Sequence, residues 1–159
     1  MKNALKDKTV VITGASSGIG EAMAKVYASM GAKVVLGARH ADKLEALCRS
    51  IEQQGGRAAW CATDVTRPED CKRLIDTAVE NFGGIDVMIC NAGISMRALF
   101  DDVDLDVLHR LMDVNFWGTV YCTKYALPYL QKSHGSLVGI SSVAGIHGLP
   151  GRTGYSASK

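Results

Sequence analysis

The chain has little proline, three residues in 159, and no run of like charge. Its longest apolar stretches, such as residues 34–37 and 137–140, fall far short of the roughly 20 residues that a membrane span requires. No membrane partner is expected. Eighteen basic residues against sixteen acidic ones, spread evenly for a net charge of +2, leave no basic footprint for nucleic acid and no acidic tail. The charged segment 1–8 is followed directly by the apolar run 9–13, too brief for a signal-peptide core, so no export is expected. The five cysteines (Cys48, Cys61, Cys71, Cys90, Cys122) are odd in number and form no CxxC pair. That pattern fits reduced thiols in a cytoplasmic protein better than a disulfide framework, with most of them serving as small buried hydrophobes. The four histidines (His40, His109, His134, His147) lack metal-ligand spacing, and no metal is expected.

What remains is an ordinary globular composition, 47% hydrophobic with a mean hydropathy of +0.07, of a length that suits one domain. The seventeen glycines point to tight turns and close backbone approaches. A small molecule is the favoured kind of partner.

Short β-branched runs alternate with longer segments of helical period, which predicts an α/β fold: a doubly wound parallel sheet, Rossmann-like. Strands are predicted over 9–13, 33–38, 58–61, 86–90 and 136–140, the best of them nearly continuous in apolar residues as doubly covered strands are. Residues 19–30 carry Ile19, Met23, Val26, Tyr27 and Met30 at helical spacing and stop at Gly31. Residues 41–54 repeat the pattern with Leu44, Leu47, Cys48 and Ile51 before Gly55-Gly56. Thr66 followed by Glu69 reads as a capping box for a third helix, with Leu74, Ile75, Ala78, Val79 and Phe82 on its apolar face. A fourth helical region, 104–133, is long enough to be bent or split, with Gly118 and Pro128 the expected places.

Between the first strand and first helix lies Thr13-Gly14-Ala15-Ser16-Ser17-Gly18-Ile19-Gly20. Glycine there permits a tight turn and close approach to a pyrophosphate, while free N–H groups and the positive helix end favour an anion. The spacing GxxxGxG differs from the commoner GxGxxG, and without Gly-Lys-Ser/Thr it is not a P-loop. About 20 residues on, a dinucleotide fold carries an acid for the ribose 2′-hydroxyl or a base for a 2′-phosphate. The second strand instead runs into Arg39-His40. The planar, permanently charged fork of Arg39 suits phosphate, so NADP is favoured over NAD, the alternative being a solvated arginine at a strand end.

The Gly-rich turn, Asp64-Val65, Asn91-Ala92-Gly93, Asn115 and Tyr155-Ser156-Ala157-Ser158-Lys159 together resemble, in order and spacing, the short-chain dehydrogenase/reductase family across the whole chain. The resemblance implies hydride transfer between NADP(H) and a carbonyl or secondary alcohol, and a homodimer or homotetramer with 104–133 as a contact surface. Four apart on a helix, Tyr155 and Lys159 share one face; an ammonium so placed favours the phenolate, suiting the phenol to act as acid or base. The family's catalytic serine lies thirteen positions before the tyrosine, which selects Ser142, a donor to the substrate oxygen; Ser141 is expected to be structural. Asn115 resembles the asparagine that holds a water linked to the lysine, though bending of its helix is an alternative or coexisting reading. Asn91, Ala92 and Gly93 resemble the turn that lines the cofactor, with Cys90 where many members carry another asparagine. Asp64, with Val65 alongside, is expected to orient the adenine, or else to cap a helix.

Three other readings stay open: an NAD-linked enzyme of the same family, a non-catalytic dinucleotide-binding protein on the same fold, and an inactive cofactor-binding fragment. Residues 145–154 are expected to border a substrate pocket, where His147 or Arg152 could contact substrate, with solvated loop residues the favoured reading of both. Five strands against about six in the doubly wound fold lead to the expectation that residues 1–159 are the N-terminal portion of one longer dinucleotide-binding and catalytic domain, its fifth strand an uncovered edge.

Overall fold

A strand buried on both faces must be apolar throughout, and β1 (Thr9–Thr13, TVVIT) is buried at every position. In the computed structural model, which describes residues 5–159, it occupies the middle of a five-stranded sheet. Residues 1–4 of the charged N-terminal segment, read above as carrying no export signal, lie outside the described residues. The other strands are β2 (Lys33–Ala38), β3 (Arg57–Ala62), β4 (Val87–Cys90) and β5 (Ser136–Gly139). All pairings are parallel, in the order β3-β2-β1-β4-β5, with Val10 opposite Val34 and Val11 opposite Met88. The chain winds outward from β1 to β3 and crosses back to β4, so the order reverses beside β1. At such a switch point the connecting loops diverge and leave a crevice at the carboxyl ends of the strands.

The twofold alternation of side chains divides the core into two layers. Val10, Ile12, Val34 and Leu36 pack on one face against α1 (Gly18–Ser29) and α2 (Ala41–Gln53). Val11, Val35, Met88 and Cys90 pack on the other against α3 (Pro68–Phe82) and α5 (Gly118–Ser133). The predicted faces of α2 and α3 are the buried ones: Leu44, Leu47, Cys48 and Ile51, then Leu74, Ile75 and Ala78. Each leucine or isoleucine among them contributes about 1.5–3 kcal/mol when removed from water.

In α1 the buried stripe differs from the expected one. Gly20, Ala24 and Ala28 face the sheet, while Ile19 and Val26 are 64% and 53% exposed. Small residues at fourfold spacing let this helix lie close to β1 and β2, a packing that a search for large apolar side chains overlooks. The capping box is corrected too. Pro68 opens α3 with Arg67 as the cap residue, and the Thr66 hydroxyl donates to Asp64 Oδ1 at 2.8 Å. Asp70, in place of Glu69, reaches back from the first turn to accept the Asp64 amide at 3.0 Å.

The fourth helical region begins with α4 (Leu105–Leu111), capped by the Asp104 carboxylate, passes through a π-helical segment (Met112–Trp117) and continues as α5. The break thus falls just before Gly118, as one of the two expected places; Pro128 lies within α5 without ending it. Gly118 is small because a Cβ there would stand 2.8 Å from a Val65 methyl. A one-turn 3₁₀ segment (Val143–Gly145) leads on to α6 (Thr153–Ser158). β5 is an edge strand, exposed along its length. Among the described residues no helix is long and apolar enough to cross a membrane, and no three His, Cys, Asp or Glu side chains are grouped to hold a metal ion.

Candidate active site

The turn after β1 is built by exclusion. Gly14 adopts φ +66°, and a Cβ on it would stand 2.9 Å from Ala92 Cα. On Gly20 a Cβ would collide with the Gly14 carbonyl oxygen and stand 2.7 Å from Asn91 Nδ2. Only glycine lets the first turn of α1 nest against the loop after β4. Asn91 holds that loop: its Nδ2 donates to the Thr13 carbonyl at 2.9 Å, and the amides of Asn91 and Ala92 both donate to Thr13 Oγ1 at 3.0 Å. Thr13 is therefore the hinge pin between β1 and β4, a role its β-branched character in a strand concealed. Ser17 is the cap residue of α1, yet its side chain makes no capping bond. Its hydroxyl and the first amides of the helix remain available to an anion.

A cleft of about 710 Å³ opens at this switch point. Of the expected residues, Gly14, Ser16, Ser17, Arg39, Asp64, Val65, Ala92 and Gly93 line it. Gly18, Ile19, Gly20 and Asn91 do not; they shape the turn behind it. The cleft wall also includes His40, Lys43, Thr63, Ser95 and Arg110, which sequence reading missed. For Lys43 the signal was present, since it stands four residues after Arg39 on the first turn of α2. Among the described residues neither Arg39 nor Lys43 forms an ion pair, so this end of the cleft presents unneutralised positive charge. Asp64 lines the cleft while its Oδ1 also accepts the Thr66 amide at 3.0 Å; it does not cap α3, whose cap residue is Arg67.

The four residues expected to do chemistry sit beyond the cleft wall, gathered on α6, the π-helical segment and the loop after β5. Lys159 caps the C-terminal end of α6, and its Nζ donates to the Ile140 carbonyl at 2.8 Å. That ammonium lies 3.1 Å from where a Gly93 Cβ would stand, and Asn115 Oδ1 3.2 Å from it, so glycine at position 93 lets both side chains close on this loop. Asn115 is buried; its Nδ2 donates to the Ile94 carbonyl at 2.9 Å and to Ser158 Oγ at 2.7 Å, while its Oδ1 accepts the Ile94 amide at 2.8 Å. Ser158 Oγ in turn donates to the Tyr155 carbonyl at 2.9 Å. Asn115 thus clamps the loop after β4 to α6, and it does so from a π-helical segment. Ser142 is half-buried, its Oγ accepting the Ala144 amide at 3.2 Å, and Ser141 Oγ donates to the Lys159 carbonyl at 3.0 Å.

Cys48, Cys71, Cys90 and Cys122 are buried. Burial pushes the Cys48 and Cys90 thiols up to about 12 and about 11, so neither is a thiolate nucleophile near neutrality.

Comparison with known proteins bears on the family and the fold. A profile of the family described as short chain dehydrogenase matches residues 8–159. An 11-beta-hydroxysteroid dehydrogenase-like 2 protein of Arabidopsis thaliana is 45% identical over 154 residues, covering 96% of this chain and 50% of that one. An uncharacterised oxidoreductase of Listeria innocua is 39% identical over 156 residues, covering 98% and 63%. An alcohol dehydrogenase from Thermococcus sibiricus, solved in complex with 5-hydroxy-NADP, superposes with a TM-score of 0.92 at 32% identity, over 95% of this chain and 65% of that one. The chain spans about half the length of the plant relatives it matches. With β-strands, Gly-rich turn and YxxxK helix all falling inside the matched residues, the chain belongs to the short-chain dehydrogenase/reductase family of oxidoreductases.

Proposed function

We propose that this chain is the cofactor-binding and catalytic portion of an NADP(H)-dependent oxidoreductase that interconverts a carbonyl and a secondary alcohol on a small to medium, fairly apolar substrate. The observation that carries the reading is the meeting of two features at the sheet's switch point. One is a glycine-built cradle with Arg39 and no acid at the end of β2; the other is α6, whose Lys159 reaches Ile140 and lies against Gly93. The cradle fits a dinucleotide: free amides and the Ser17 hydroxyl suit the pyrophosphate, and Arg39 suits a 2′-phosphate. The bound 5-hydroxy-NADP of the Thermococcus sibiricus enzyme supports the same preference.

Residues Gly14, Ser16, Ser17, Gly18, Ile19 and Gly20 would form the pyrophosphate turn, Asp64 and Val65 would border the adenine, and Ala92 and Gly93 would line the nicotinamide half, with Asn91 holding their loop from behind. Bound in this cleft, NADPH would supply the hydride to the carbonyl carbon. Tyr155 then gives its phenolic proton to the oxygen, and Ser142 donates a hydrogen bond to that oxygen as charge develops on it. Lys159 would bring its positive charge toward the phenol and hold the nicotinamide ribose, and Asn115 fixes the backbone of α6 against the loop that carries Gly93. In alcohol oxidation the same phenol, ionised, takes the proton.

The reading extends to a homodimer or homotetramer in the cytoplasm. Support for assembly is the aromatic cluster of Phe116, Trp117 and Tyr121 at the head of α5, where Trp117 stacks on Tyr121 at 5.8 Å while 44% exposed. Support for the compartment is compositional, resting on the unpaired cysteine pattern.

The test is Tyr155→Phe in the full-length protein. It is expected to bind NADPH with unchanged affinity, read by the quenching or enhancement of cofactor fluorescence, and to lose at least about a thousandfold in turnover. Turnover kept near the parent rate overturns the role of Tyr155.

A further inference from the structure

Arg152 is the residue whose surroundings depart furthest from a solvated loop side chain. It is half-buried, its Nη1 donates to Ser95 Oγ at 2.6 Å, and its guanidinium carbon stands 5.8 Å from the centroid of the Tyr155 ring. The contact is braced on both sides. The Arg152 carbonyl accepts the Ser156 amide at 2.8 Å, which makes it the start of α6, and the Ala98 amide donates to Gly151 at 2.9 Å, tying the same two loops a second time. Among the described residues Arg152 makes no ion pair, so its charge is not cancelled by a carboxylate. Ser95, which anchors it, lines the cleft.

We propose that Arg152 is a positioning residue for Tyr155, holding the phenol ring by its face and gaining attraction to that ring as the proton leaves. A cation is drawn to the negative face of an aromatic ring, more strongly when partly desolvated. Loss of the phenolic proton adds electron density to the ring, so the attraction is greater in the transition state than in the resting complex. An interaction that strengthens only on the way to the transition state raises kcat and leaves binding alone. The inference rests on the acid role given to Tyr155 above.

The experiment compares Arg152→Ala, Arg152→Lys and Tyr155→Phe in the full-length protein. NADPH oxidation is followed with whichever member of a panel of aliphatic and aromatic aldehydes and ketones turns over fastest, and NADPH affinity is measured by fluorescence. Arg152→Ala is expected to lower kcat about tenfold with KM and the NADPH Kd within about twofold, and Arg152→Lys to recover part of the loss because it restores the charge without the planar fork. An unchanged kcat in Arg152→Ala overturns the inference, as does a loss carried mainly by KM or NADPH affinity. If Arg152→Ala fails to fold, Ser95→Ala releases the guanidinium while keeping it: a lower kcat with NADPH binding kept supports the inference, and an unchanged kcat overturns it. Full turnover in Tyr155→Phe, or none of the panel reduced by the parent protein, overturns the functional reading and this inference with it; a dead Tyr155→Phe beside an unaffected Arg152→Ala overturns this inference alone.

Discussion

Arg39 follows the last residue of β2, on the rim of the cleft, where a carboxylate would have pointed to a ribose hydroxyl. Charge-assisted hydrogen bonds to phosphate are worth about 1.5–3 kcal/mol, which converts to about ten- to a hundredfold in kcat/KM. Arg39→Ala is therefore expected to lower kcat/KM with NADPH by about that factor while leaving use of NADH within about threefold. Steady-state kinetics with the two cofactors checks it, and an equal loss with both would count against the phosphate role. At this scale much was legible, because a glycine turn and a Tyr-Lys pair impose fixed local spacings. Illegible were residues whose use depends on what lies opposite. Thr13 looks like one more β-branched strand residue until two amides of the β4 loop converge on its hydroxyl. Arg152 looks like a loop cation until Ser95 and the Tyr155 ring take it up.

Helix starts carry their own chemistry. Burial of Asp70 opposes its ionisation, but the Asp64 amide and the Arg73 guanidinium, donating at 3.0 and 2.7 Å, outweigh it and hold the carboxyl below the ordinary range. A carboxyl depressed in the folded state contributes stability that is fully present above its unfolded value, near about pH 4, and is lost as pH falls through the folded value. Asp70→Asn is expected to cost about 1–3 kcal/mol at pH 7, the gap to the parent narrowing below about pH 4. Urea unfolding at pH 7, 5 and 3 checks it, and a gap that stays constant across the series would refute the assignment. The spacing Thr66 to Glu69 has the form of a capping box, but Pro68 has no amide to offer and starts the helix one turn-position later, which brings Asp70 to the reaching position. The π-helical bulge around Asn115 was likewise beyond local pattern: the side chain's three bonds to Ile94 and Ser158 reward the extra residue only once α6 and the β4 loop are in place.

At the scale of the whole molecule, large apolar side chains are exposed on several elements among the described residues: Ile19 and Val26 on α1, Leu105 on α4, Phe116 and Trp117 on the π-helical segment, Leu127 on α5, Leu137 and Val138 on β5, and Val143 and Ile146 beyond it. If copies of the protein meet through the aromatic cluster, a charge at its centre will part them. Trp117→Glu in the full-length protein is expected to shift it toward monomer in sedimentation velocity with little change in NADPH affinity; an unchanged sedimentation coefficient would exclude this face.

The sequence by itself determined the α/β alternation, the parallel sheet, the two buried faces of α2 and α3 and the residues of the glycine-rich turn after β1. All of these follow from periodicity and backbone sterics that act between near neighbours. Tertiary structure decided the close seating of α1 by small residues, the true start of α3, the bulge at Asn115 and the capture of Arg152. Most of these rest on contacts between residues remote in the chain, worth about a kilocalorie or two and invisible until the sheet's strand order brings the partners together; the start of α3 turns instead on Pro68 and on Asp70 reaching back six residues to the Asp64 amide.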